Sequence, residues 1–167
     1  MRVFGLAGWS GSGKTTLVLR LIPELTRRGI AVSTVKHAHH AFDVDQPGKD
    51  SYRHREAGAV EVMVSSERRW ALMREHRGAP EPALPELLRN MSAVDLVLVE
   101  GFKRHPHPKL EVHRPSLGKP LLCREDSTVV AVVSDVPMDG LPVPRLDVSD
   151  IAGIAELVLA HAAEVKD

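Results

Sequence analysis

The chain has 167 residues with 22 basic and 22 acidic side chains, so it has no net field to draw it to nucleic acid or to a membrane surface. Its single cysteine, Cys123, excludes an internal disulfide framework and a cysteine-rich zinc site. No apolar run is long enough to span a bilayer, and the few residues before Gly8 leave no room for a signal peptide. The bulk numbers therefore predict one soluble, cytoplasmic domain, residues 1–167, with a substantial core.

Residues 3–7 form an apolar run that reads as a buried parallel strand. It leads into Gly8-Trp-Ser-Gly-Ser-Gly-Lys-Thr15, a full match to the G-x-x-x-x-G-K-[ST] phosphate loop. From residue 14 to 28, Leu17, Val18, Leu21, Ile22 and Leu25 recur with helical spacing, and Gly29 suits the position just past the helix end. Pro23 falls inside this helix and is expected to bend it locally. Residues 30–35 favour a second strand. A long polar segment, 36–50, follows; loops of this length are usually functional. Asp50 or Ser51 is placed to cap a short helix ending near Ala57, with Gly58 closing it.

Residues 60–64 and 69–73 read as the two strands of a hairpin insertion near 60–73, and residues 77–85 as a Pro-rich linker before a helix over 86–91. Residues 95–99 form another buried strand ending at Glu100-Gly101. A basic loop with histidines and prolines, 104–109, leads to a short strand at 110–113. Residues 128–133 are strongly β-forming and end at Ser134-Asp135. Residues 145–148 are a further short strand, and a last helix is capped by Ser149 or Asp150. Strands alternating with helices predict an α/β fold: a mostly parallel sheet flanked by helices. In such sheets ligands bind beyond the strand C-termini, where the phosphate loop, 36–50, Glu100 to Lys103 and Asp135 all fall.

The chemistry at that edge follows from residue type. Successive N–H groups from Gly11 through Ser12, Gly13 and Lys14 to Thr15 and Thr16 form an anion cradle at a helix N-terminus. Lys14 reaches the β- and γ-phosphates, and the Thr15 hydroxyl lies on Mg²⁺. Glu100, closing an apolar strand, is the acidic residue expected to hold Mg²⁺ directly or through water, and Gly101 admits close approach of the terminal phosphate. Asp50 is a second candidate for the metal, with helix capping as its other reading; Asp43 and Asp45 rank below it.

His37, His39 and His40 lack zinc spacing and a nearby cysteine, which favours polar loop residues near an anionic ligand over a metal site. Lys36, Lys49 and Lys103 are candidates to neutralise phosphate charge, and equally solvated lysines. The 104–109 patch reads either as a contact for an acidic partner or a second anion, or as a solvated loop. Trp9 stacks on a ligand or a partner chain, or packs over the loop; Cys123 reads as a small buried hydrophobe. The Asp135 carboxylate is placed to accept from guanine N1 and its 2-amino group, although Asn-Lys-x-Asp is absent and a turn role before Pro137 is the alternative.

Taken in order, Gly8–Thr15, Lys36-His-Ala-His-His40, Asp43-Val-Asp45, Pro47-Gly-Lys-Asp-Ser-Tyr52, Arg69-Trp-Ala-Leu-Met73, Leu98-Val-Glu-Gly-Phe-Lys103 and Ser134-Asp-Val-Pro137 closely resemble the MobB family over nearly the whole length. These are the adaptor proteins of molybdopterin guanine dinucleotide biosynthesis. The resemblance implies a homodimeric GTP-binding protein with weak GTPase activity, working beside the guanylyltransferase MobA, which performs the nucleotidyl transfer. It leaves open whether molybdopterin itself binds. It implies GTP on Gly11, Gly13, Lys14 and Thr15, with Mg²⁺ near Thr15 and Glu100. Weak hydrolysis fits the lack of an assignable glutamine after Glu100-Gly101; Gln46 is a poor substitute. Two other uses of the same loop stay in view: a small-molecule kinase, for which residues 104–114 supply few basic groups, and a metallochaperone GTPase, for which the histidine tract is sparse.

Overall fold

The computed structural model describes residues 1–38 and 42–164, which cluster into two compact units, 1–37 with 84–167 and 38–83. The larger unit is built on a sheet in the order β2-β5-β1-β6-β7-β8. Its strands are β1 (Arg2–Ala7), β2 (Val32–Lys36), β5 (Leu96–Glu100), β6 (Lys109–Val112), β7 (Val129–Ser134) and β8 (Arg145–Asp147). All run parallel. A short β9 (Ala163–Glu164) pairs antiparallel with the start of β1.

The apolar runs are continuous because both sheet faces are covered. Side chains alternate along each strand. Phe4 and Leu6 of β1 and Leu96 and Leu98 of β5 pack with Leu17, Leu21 and Leu25 of α1 (Lys14–Arg27) and with Ile154 and Val158 of α4 (Ile151–His161). Val3, Val97 and Val99 face the other way, onto Leu84 and Leu88 of α3 (Leu84–Arg89). A third cluster joins Cys123 to Val129 and Val132, which gives the lone thiol the packing role expected of it.

Several boundaries differ from the sequence reading for identifiable reasons. α3 starts at Leu84, inside the expected linker: Leu84 and Leu88 share one buried face, and Pro85 is tolerated in a first turn, where its missing N–H is no loss. The α2 helix (Asp50–Glu56) is preceded by Lys49, so neither Asp50 nor Ser51 is its cap. The Ser51 hydroxyl instead donates to Asp45 at 2.8 Å. α4 is capped as expected, with Asp150 accepting from the Gly153 N–H. α1 runs through Pro23, which stands on its exposed side.

The largest departure is β6. Lys109, expected in an exposed basic patch, is 1% exposed and opens the strand. Its ammonium donates to the Lys103 and His105 carbonyls at 3.3 and 2.9 Å, to Asp126 Oδ2 at 3.0 Å and to Thr128 Oγ1 at 2.6 Å. His107 is buried against Gly5, where a Cβ would lie 2.4 Å from its Nε2. Burial first, and the Lys109 charge second, push the His107 imidazole down to about 4. Arg104 alone of the basic side chains in that patch is exposed.

In the smaller unit, β3 (Glu61–Ser65) and β4 (Trp70–Arg74) form the expected antiparallel hairpin. Arg55 of α2 binds Asp43 at 2.8 Å, Asp45 at 3.4 Å and Glu75 at 2.9 Å, knitting the loop, helix and hairpin together. Among the described residues no helix is long and apolar enough to cross a membrane.

Candidate functional site

β1 ends at Ala7 in the middle of the sheet, with the phosphate loop directly beyond it. Gly8 is at φ +146°, and a Cβ there would meet the Val112 carbonyl at 2.4 Å and Ser12 Oγ at 2.7 Å, so the loop turns against β6 only with glycine. Leu17 makes the first intrahelical bond, to the Gly13 carbonyl. The N–H groups of Lys14, Thr15 and Thr16 precede it and form the open donor set of the helix N-terminus. Lys14 arches over the loop, donating to the Gly8 and Trp9 carbonyls at 3.0 and 2.9 Å. Burial lowers its ammonium below the ordinary lysine range; Glu100 opposes this, while Lys103 and Lys36 add to it.

On the β5 side, Thr15 Oγ1 donates to Glu100 Oε1 at 2.8 Å, and Lys36 Nζ lies 3.9 Å from the same oxygen. The structure therefore brings Thr15 and Glu100 together. A hydroxyl and a carboxylate are hard oxygen donors, the type Mg²⁺ takes alongside phosphate oxygens and water. Among the described residues no three His, Cys, Asp or Glu side chains gather, so a cation here relies on that sparse set. Gly101, at φ +100°, packs its Cα side against His37, where a Cβ would lie 2.8 Å from His37 Cβ. The His37 ring tilts against Phe102 at 4.7 Å.

On the β6–β7 side lies a small open cleft lined by Ser12, Gly13, Thr16, His113, Arg114 and Asp135 among others. Asp135 is exposed directly after β7, as expected. His113 and Arg114 are additions to the sequence reading. His113 is buried with Nδ1 3.5 Å from Glu111 Oε1, and Glu111 in turn accepts from the Leu122 and Cys123 N–H groups at 3.0 Å each. A fully buried carboxylate thus fixes the cleft wall. The available signal was positional: a pair of polar residues immediately after a strand at the ligand edge of a parallel sheet.

Trp9 donates its indole N–H to the Pro120 carbonyl at 2.8 Å, and Lys103 Nζ stands 4.5 Å over its ring. Asp50, 90% exposed in the first turn of α2, has Arg53 at 3.9 Å and belongs to the smaller unit, as do Lys49, Asp43 and Asp45. Asp43 and Asp45 are taken up by Arg55. The Asp43 carboxyl is held below the usual range, first by its bond to Arg55. His39 and His40 lie outside the described residues.

The family model for molybdopterin guanine dinucleotide synthesis protein B, MobB, matches residues 3–135. The molybdopterin-guanine dinucleotide biosynthesis adapter protein of Escherichia coli is 46% identical over 160 residues, covering 94% of this chain and 91% of its own length. The Haemophilus influenzae adapter protein is 43% identical, covering 93% and 86%. A crystal structure of molybdopterin-guanine biosynthesis protein B superposes with TM-score 0.73 at 28% identity over 95% of this chain and 98% of that one. A MobB homolog from Bacillus stearothermophilus gives TM-score 0.69 at 26% identity, covering 95% of each chain.

Proposed function

The chain belongs to the MobB family, and from that premise we propose that it is a GTP- and Mg²⁺-binding adapter of molybdopterin guanine dinucleotide biosynthesis, acting in the cytoplasm beside a MobA-type guanylyltransferase. The carrying observation is the phosphate loop with Thr15 hydrogen-bonded to Glu100. Gly11, Ser12, Gly13, Lys14, Thr15 and Thr16 hold the phosphates as an N–H cradle. Thr15 and Glu100 hold the cation, which screens phosphate charge when bound. Gly101 lets the backbone come close to the terminal phosphate. Asp135, exposed in the cleft, selects guanine by accepting from N1 and the 2-amino group. Asp50 is a second metal candidate of this reading, on the smaller unit.

One nucleotide-binding domain carries the function, with residues 38–83 as its insertion. The protein grips GTP and hydrolyses it slowly, because no glutamine that could position water follows Glu100-Gly101. The transfer of GMP belongs to the partner, and molybdopterin is a candidate second ligand. The kinase and metallochaperone alternatives find no support in the relatives.

The homodimer of this reading uses the hairpin. Directly opposed residues share a face in an antiparallel pair. Val62 and Met73 turn one way, with Val62 buried; Met63, Leu72 and Trp70 turn the other and are 62, 42 and 60% exposed. An isolated two-stranded sheet is marginal, and a second copy covering this apolar face by a two-fold axis stabilises both.

Single-turnover GTP hydrolysis with and without saturating MobA-type partner tests the adapter role. Slow hydrolysis alone and a changed rate with the partner are expected. An unchanged rate, together with no complex on gel filtration, contradicts the partnership while leaving nucleotide binding intact.

A further inference from the structure

Glu100 and Arg114 flank the phosphate loop from opposite sides. Glu100 ends β5 and Arg114 follows β6, and both strands are hydrogen-bonded to β1, which feeds the loop. Adjacent strands lie about 4.8 Å apart, so the two strand ends are separated by roughly 10 Å with the loop between them. Thr15 is tied to the Glu100 side. Ser12, Gly13 and Thr16 line the cleft on the Arg114 side. On the nucleotide reading above, Lys14 and the cation take the terminal phosphates. The α-phosphate and the nucleoside therefore lie toward Arg114.

Arg114 is built for such a task. Its backbone is pinned: the carbonyl accepts from the Leu117 N–H at 3.0 Å, and a 3-10 turn, Pro115–Leu117, follows at once. The residue before it is the buried His113, set by Glu111. The guanidinium reaches back to the start of α1, with Nη2 3.8 Å from the place a Cβ on Gly13 would occupy. Among the described residues that guanidinium makes no hydrogen bond or ion pair. A second unused group shares the cleft: Ser12 is 4% exposed, and its hydroxyl oxygen is buried without a hydrogen-bond partner among the described residues.

We infer that Arg114 is a nucleotide-binding residue that clamps the α-phosphate, so the loop grips a 5′-nucleotide at both ends of its phosphate chain. A guanidinium suits this position because its planar fork binds two phosphate oxygens at once, which a lysine ammonium does not. The inference rests on the nucleotide reading, and it extends that reading to nucleotides lacking the β- and γ-phosphates.

Titration calorimetry with GTP and GDP tests it, with GMP and guanosine measured by displacement of bound GDP. Arg114→Ala is expected to weaken GTP, GDP and GMP by a similar factor of at least ten, to leave guanosine unchanged, and to be rescued only in part by Arg114→Lys. Lys14→Ala is expected to weaken GTP and GDP and spare GMP. A loss confined to GTP, an equal loss for guanosine, full rescue by lysine, or no loss at all overturns the assignment. Arg114 is exposed and unpartnered, so thermal melting of Arg114→Ala is expected to match the wild type and exclude misfolding. Wild-type protein that binds no GTP instead overturns the underlying reading.

Discussion

Replacing Lys109 with methionine removes the one ammonium that ties the 103–108 loop, β6 and the Asp126 turn together. Methionine keeps most of the side-chain length, so the cavity term is small. The electrostatic term is not. Asp126 loses its cation, and the Lys103 and His105 carbonyls lose a charged donor. Breaking a buried pair costs about 3–5 kcal/mol. Asp126 is 30% exposed and keeps the Thr128 N–H and hydroxyl, which places the loss near the lower end, about 3 kcal/mol. For a chain of this size that is a drop of about 6–12 °C in melting temperature.

Urea unfolding with an unchanged m-value gives the number directly. Lys109→Met combined with Asp126→Leu removes both charges and is expected to recover much of the loss. A loss under about 1 kcal/mol, or strict additivity of the two substitutions, would show that Lys109 and Asp126 are not a coupled buried pair. The same variant has a local readout. Lys103 loses its carbonyl tether, so the indole fluorescence of Trp9, under the Lys103 ammonium, is expected to shift in a Trp70→Phe background.

Lys14→Ala is expected to lose at least 100-fold in GTP affinity, measured by calorimetry, while stability falls by only about 1 kcal/mol for the two carbonyl hydrogen bonds. Glu100→Gln should abolish most of the Mg²⁺ dependence of GTP binding and leave Mg²⁺-free binding nearly unchanged. Gly8→Ala, with a Cβ driven into the Val112 carbonyl, should destroy phosphate binding and lower the melting temperature, whereas Gly29→Ala meets nothing within 4 Å and should retain binding. Stability should also depend on pH through His107, whose folded value of about 4 lies below the ordinary 6.5. Between those values the unfolded chain binds more protons, so stability is full above pH 6.5 and is lost as pH falls toward 4. That loss is on the order of 3 kcal/mol and is expected to shrink in His107→Gln, as urea titrations across this range would show. Met63→Glu with Leu72→Glu should turn a dimer into a monomer by light scattering.

The sequence made the phosphate loop, the parallel strands β1, β5 and β7, and the hairpin legible because each is locally encoded: a contiguous motif, a β-branched run, a turn between alternating residues. β6 was only half legible. Lys109 and Glu111 are charged residues at buried positions, and they look like surface until their partners are known. Those partners, Asp126, Thr128 and the Leu122–Cys123 amides, lie 11 to 19 residues downstream and are joined to them only by the fold. Pro85 hid the start of α3 in the same way, because the two leucines that bury that helix matter more than its first-turn proline. Thr15 and Glu100 are 85 residues apart, and their meeting was readable because strand ends converge in a parallel sheet. The same logic extends to Arg114, which follows the strand expected at residues 110–113 and found at Lys109–Val112.

On the proposed function, the loop at the end of β1 holds GTP through a cation at Thr15 and Glu100. Calorimetric titration of the intact protein with GTP and with ATP, each with and without Mg²⁺, measures this. Saturable GTP binding that Mg²⁺ strengthens and that exceeds ATP binding is expected. ATP binding as tight as or tighter than GTP, or GTP binding indifferent to Mg²⁺, contradicts it.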